Sequence, residues 1–131
     1  MNIPANIEII EVSAFKTWIG EDDICVTVVK PNSEITIKEA LENTEAVIKL
    51  SQGKCYPLLV DTRQIKSISK EARDYFSMRE RKGNVKAIGM LVDSPLSKII
   101  GNFFLGLNKP KVPTQLFVEE KQARIWLKKY L

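Results

Sequence analysis

Residues 58–73 read LLVDTRQIKSISKEAR. An apolar run ends in Asp61, a polar loop carrying Thr62, Ser67 and Ser69 follows, and a helical pattern then begins. A strand that hands over to a helix is the unit from which α/β sheets are assembled, and the surrounding sequence repeats it. Upstream, TIKEALENTEAVIKLSQG (36–53) spaces Ile37, Ala40, Leu41, Thr44, Val47 and Ile48 as an amphipathic helix. Thr36 and Glu39 match a capping box, and Gly53 is the stop signal. YPLLVD (56–61) is a buried-type strand, SKEARDYFSMRERKG (69–83) a helix and VKAIGMLVD (85–93) a further apolar strand. PLSKIIGNFFLGLN (95–108) is a helix opened by Pro95, and TQLFVE (114–119) is the last strand. EKQARIWLKKYL (120–131) is a helix with its acids first and its lysines last, as the helix dipole favours.

Before residue 36 the period is two. IEIIEV (7–12), FKTWI (15–19) and ICVTVVK (24–30) read as strands, the last two joined by the turn-like GEDD. The sequence therefore predicts an α/β fold with a mixed sheet of about five to six strands and about four helices. An antiparallel N-terminal meander precedes parallel βαβ units, and residues 1–131 form a single domain.

Composition removes several chemistries. The chain has no histidine, so the commonest general base, the Ser-His and Cys-His couples and imidazole metal sites are all absent. Cys25 and Cys55 form no CxxC pair; both are expected to be buried bystanders in a reducing compartment. The net charge of +4 is not gathered into a basic stripe, and no nucleic-acid-binding motif is present. Neither GxxxxGK[ST] nor GxGxxG occurs, so no cofactor is expected. MNIPANIEII lacks the features of a signal peptide, and no window offers a membrane span, which points to the cytoplasm.

Two candidate surfaces stand out. LLVDT (58–62) and MLVDS (90–94) echo one another, and FVEE (117–120) repeats the theme more loosely. Parallel strands would bring Asp61, Asp93 and Glu119 to one edge, where open α/β sheets bind ligands. Such a trio could hold Mg²⁺ or perform acid–base work in a metal-dependent enzyme; the plainer reading places each acid beside a helix N-terminus that favours negative charge. The second surface is the helix stripe of Leu96, Ile99, Ile100, Phe103, Phe104 and Leu107, with Leu105 off it. A core-facing helix is the ordinary explanation. A partner or lipid surface built from Ile99, Phe103, Phe104, Leu105 and Leu107 is the functional one.

SPLSKIIGNFFLGLNKPKVPTQLF (94–117) and EEKQARIWL (119–127) resemble the SpoIIAA-like, or STAS-type, domains, and most closely small bacterial STAS/SEC14-like proteins of uncharacterised role. The resemblance runs from about Tyr56 onward. It implies a non-enzymatic module for protein interaction, regulation or signalling, with a protein partner or self-association. Its alternative is a SEC14-like binder of a small apolar ligand or lipid. In the antagonist branch a phosphorylated serine opens the helix in a D-S-S-G-L pattern. Here the helix start reads Ser69-Lys70-Glu71-Ala72-Arg73, without the glycine. The regulatory loop implied by the resemblance is Asp61, Thr62, Ser67 and Ser69, although Ser69 is also a preferred helix N-cap.

Overall fold

The turn Gly20–Asp23 starts the sheet. The Gly20 N–H donates to the Ile24 carbonyl at 3.0 Å, and Asp23 takes the left-handed conformation (φ 61°) that a short polar side chain tolerates. This turn joins β2 (Phe15–Ile19) to β3 (Cys25–Val29), and β1 (Ile9–Glu11) adds to β2; both pairings are antiparallel. The structure, a computed structural model, describes residues 1–80, 85–93, 95–103 and 112–131.

After β3 the chain changes direction rule. Helix α1 (Ile37–Ser51) carries it to β5 (Tyr56–Asp61), which lies parallel to β3. Helix α2 (Lys70–Glu80) precedes β7 (Val85–Leu91), helix α3 (Pro95–Phe103) precedes β8 (Thr114–Phe117), and helix α4 (Glu120–Leu127) follows. Among the described residues the strands form a six-stranded sheet in the order β1-β2-β3-β5-β7-β8. The antiparallel start and parallel continuation match the pattern expected from the sequence.

The polar segment after Asp61 is not simply a loop. Residues Ile65–Ile68 form β6, which pairs in parallel with β4 (Ser33–Ile35) as a separate two-stranded ribbon. Each strand is too short to show a period on its own. The ribbon exists because Ile35 and Ile65 sink into a cluster with Phe15, Val29, Ala40 and Ala72.

Helix α1 also lies differently from the stripe anticipated for it. Its buried residues include Ala40, Asn43, Thr44, Val47 and Ser51, while Leu41 is 44% and Ile48 50% exposed. The helix is turned so that the small and polar residues face the sheet and the two larger ones face water. Its N-terminus is held as expected, since the Thr36 N–H donates to Glu39 Oε1 at 2.8 Å. Of the two cysteines, Cys25 is buried and Cys55 exposed. The expected burial of Cys55 fails because it lies between the end of α1 and the start of β5.

The two sheet faces carry different cores. Trp18, Ile24, Val26, Leu59 and Leu91 point to α4, where Ala123 and Leu127 seal them completely. Gly89 admits this approach; a Cβ there would lie 3.2 Å from Leu127 Cδ1. The opposite face is covered by α1, α2, the β4–β6 ribbon and, over Met90 and Leu116, α3. Among the described residues no helix is long and apolar enough to cross a membrane.

Candidate functional site

Strands β3, β5, β7 and β8 end together: Val28 is level with Asp61, Asp61 with Leu91, and Leu91 with Phe117. The ends of LLVD, MLVD and FVEE thus share one rim, as the parallel order requires. Their carboxylates do not gather as a ligand set, and among the described residues no three acidic or thiol groups are placed to hold a metal.

Asp61 is instead bound to the residue two positions on. Its Oδ1 accepts from Arg63 Nε at 2.9 Å and from the Arg63 backbone N–H at 3.0 Å, and its Oδ2 lies 2.8 Å from Arg63 Nη2. This forked geometry is the strongest form of carboxylate–guanidinium contact. The hydrogen bonds to Asp61 raise the Arg63 pKa against the opposing effect of burial; Asp61, Asp93 and Glu120 add Coulombic support. Asp61 therefore closes a turn into β6 and is not beside a helix N-terminus. Glu119 does occupy the N-cap of α4, but it makes no side-chain capping bond.

The remaining residues of the anticipated regulatory loop are dispersed. Ser69 Oγ accepts the Ala72 N–H at 3.1 Å, so it caps α2. Ser67 is exposed on β6. Thr62 is buried, and its hydroxyl donates to the Leu91 carbonyl at 2.6 Å, bracing β5 to β7. On the anticipated partner surface, Ile99 is 64% exposed on α3. The Phe103 side chain, Phe104, Leu105 and Leu107 lie outside the described residues.

The structure assembles something the sequence did not signal. Between the sheet and the α1, α2 and β4–β6 layer lies a cavity of about 80 Å³. Its floor is Leu58 and Val60 of β5 with Ile88 and Met90 of β7; Phe76 and Ile68 stand at the side. Val60 lies on a central strand, where side chains are normally covered, yet it is only half-buried. Arg73 also lines it, and its Nη1 donates to the Ile68 carbonyl at 3.0 Å; two further polar residues on the wall, Thr27 and Thr62, have committed hydroxyls. Thr17 donates to the Val26 carbonyl at 2.8 Å, which leaves Thr27 as the donor in the 3.0 Å contact between the two threonines. Asn43 is the exception. It is 3% exposed, it lines the cavity, and its Oδ1 has no hydrogen-bond partner. The sequence signal for it was available but faint: a polar residue at i+3 from Ala40 and i−4 from Val47, inside an apolar stripe.

A larger recess of about 290 Å³ lies on the α4 face of the sheet beside Asp61, Lys16 and Lys30. Size alone would favour it. Its wall, however, is mixed in polarity, and of its charged residues Lys30 is engaged with Glu11 at 2.6 Å and Asp61 with Arg63. Binding sites for small molecules are mostly apolar with a few convergent polar groups, which describes the smaller cavity.

A family model described as a domain of unknown function (DUF7793) matches residues 17–131. An uncharacterised protein of the DUF3478 family with a SpoIIAA-like fold, from Shewanella loihica PV-4, superposes with a TM-score of 0.63 at 15% identity, covering 96% of this chain and 99% of that one. The likeness establishes the SpoIIAA-like fold. A protein of unknown function from Arthrobacter sp. FB24 is 27% identical over 85% of this chain and 90% of its own, with a TM-score of 0.34. No curated protein matches.

Proposed function

The chain belongs to the DUF7793 family of domains of unknown function, and we propose that it is a non-enzymatic regulatory module that binds a small, mainly apolar ligand between its sheet and the α1–α2 layer. The observation that carries this reading is the cavity above Val60. Native interiors pack at the density of organic crystals and leave few such voids, so an apolar space over a central strand has an energetic cost. A ligand would restore the missing contacts. The volume of about 80 Å³ suits a compact molecule of a few heavy atoms, since a dry cavity of roughly 150 Å³ accommodates benzene. Full-length lipids are far larger, so the small-ligand form of the SEC14-like expectation is the one retained.

The lack of catalysis is supported by the missing histidine and by the engagement of Asp61 with Arg63 at the rim. Titration with small apolar probes, followed by two-dimensional NMR, tests the reading. Saturable shifts should centre on Val60, Ile88 and Met90 and vanish in Val60→Phe, which fills the space. If no probe shifts these residues and Val60→Phe proves strongly destabilising, the void is not a binding site.

Direct protein contact is the second reading, and the exposed Ile99 on α3 favours it. Ile99→Asp should then reduce self-association or the capture of a protein partner. Unchanged oligomeric mass and unchanged capture would remove α3 as the contact.

A further inference from the structure

We infer that two copies of this chain join through strand β8, laid antiparallel about a two-fold axis at Gln115, so that one sheet runs through both. β8 (Thr114–Phe117) is the last strand in the order β1-β2-β3-β5-β7-β8. The Ile88 N–H donates to the Pro113 carbonyl at 2.8 Å and the Val92 N–H to the Phe117 carbonyl at 2.9 Å. In a parallel ladder that phase turns the backbone groups of residues 113, 115 and 117 toward β7 and those of Thr114 and Leu116 outward. Among the described residues these outward groups have no backbone partner. Pro113 does not protect the edge, because its missing N–H belongs to the phase that faces β7.

Charge decides which edge pairs and in which sense. The opposite edge, β1 (Ile9–Glu11), has exposed acids at both ends, Glu8 and Glu11, and two copies of it laid antiparallel would set Glu8 against Glu11. β8 reads TQLF and carries no charge. An axis at Gln115 lets Thr114 of one copy exchange both main-chain bonds with Leu116 of the other, and it places the two exposed, neutral Gln115 side chains face to face. Helix α4, which packs on β7 and β8, has Glu119 and Glu120 at its start and Lys128 at its end. Antiparallel copies turn the acidic start of one α4 toward the basic end of the other, whereas parallel addition would align like with like. On the same face Phe117 lies 5.6 Å from Trp126 and Trp126 5.0 Å from Tyr130 between ring centres, all three only partly buried, so the second copy also extends cover over an aromatic row.

Sedimentation equilibrium across the micromolar range tests this with charges placed on the axis. The natural chain should rise toward the mass of two copies as concentration increases. Gln115→Lys and Gln115→Glu should each weaken association by about fivefold or more, because each sets like charges face to face, and both should keep the natural circular dichroism, because Gln115 is exposed. An equal mixture of the two variants should recover the lost association, since opposite charges then meet. Gln115→Cys, made together with Cys55→Ser to remove the exposed native thiol, should form a disulfide between copies under mild oxidation, because a close antiparallel pair spaces its Cα atoms by about 4.5 Å. A natural chain that keeps the mass of one copy throughout would overturn the assignment. So would association that neither charge variant weakens, which would put the contact elsewhere, Ile99 on α3 included. Weakening by both variants without recovery on mixing would also overturn it, giving the edge to another register or to an extended segment of a different protein.

Discussion

The two faces of the central sheet are built from the same strands and packed to different ends. Toward α4, Trp18, Leu59, Leu91, Ala123 and Leu127 are almost wholly excluded from solvent, and Arg124 ties the helix to the β2–β3 turn through Asp22 at 3.0 Å. Toward α1 and α2, Val60 stays half-buried, a cavity remains and Asn43 Oδ1 is unpaired. A single chain can thus complete one core and leave the other open. The sealed face carries the stability that lets the other retain a costly void.

Matched truncations test this most severely. Leu127→Ala should cost about 2–5 kcal/mol, because it opens a cavity in a closed core. Val60→Ala should cost only about 1 kcal/mol or less, because the removed methyls already border open space. Urea unfolding would measure both, and equal losses would erase the distinction between the faces. Additions should sort the other way. Ala87→Val overfills the α4 side, where Ala87 is fully buried, and should destabilise by roughly 1–3 kcal/mol. Val60→Ile adds one methylene to the cavity and should be neutral or stabilising by up to about 0.8 kcal/mol. A smaller effect belongs to the cap. Ser69→Ala should lower stability by about 1 kcal/mol through loss of the Ala72 N–H bond and leave probe binding nearly unchanged. A large loss of binding without loss of stability would restore Ser69 to a regulatory role.

The smallest expected effect is at the start of α1. Hydrogen bonds from the Thr36 hydroxyl and backbone hold the Glu39 pKa below its ordinary 4.5. A lowered folded-state pKa stabilises the fold above the unfolded value, and this contribution is lost as pH falls through the folded one. Glu39→Gln should therefore be slightly less stable near neutrality, and the difference should close progressively below pH 4.5. A difference that persists at low pH would trace the effect to helix geometry and not to charge.

The rim and the cavity were unequally visible in the sequence. That Asp61 lies at a strand end follows from the apolar run before it, and the shared rim follows from strands alternating with helices. That Asp61 is spent on Arg63 does not follow, because a D-T-R triplet can turn in several ways and β6 selects this one. Ser69 was readable as a cap because capping is a local contact, made within three residues.

What the sequence determined by itself is the order of the helices and of the strands of the main sheet, the switch from antiparallel to parallel pairing and the caps. These rest on periodicity and short-range contacts along the chain. The tertiary structure decided the rotation of α1, which turns Asn43 inward and Leu41 and Ile48 outward, the β4–β6 ribbon and the void above Val60. The physical reason is volume. Whether Phe15, Ile65, Phe76 and Met90, brought together from distant parts of the chain, fill the space between sheet and helices depends on their joint packing, which no local pattern records.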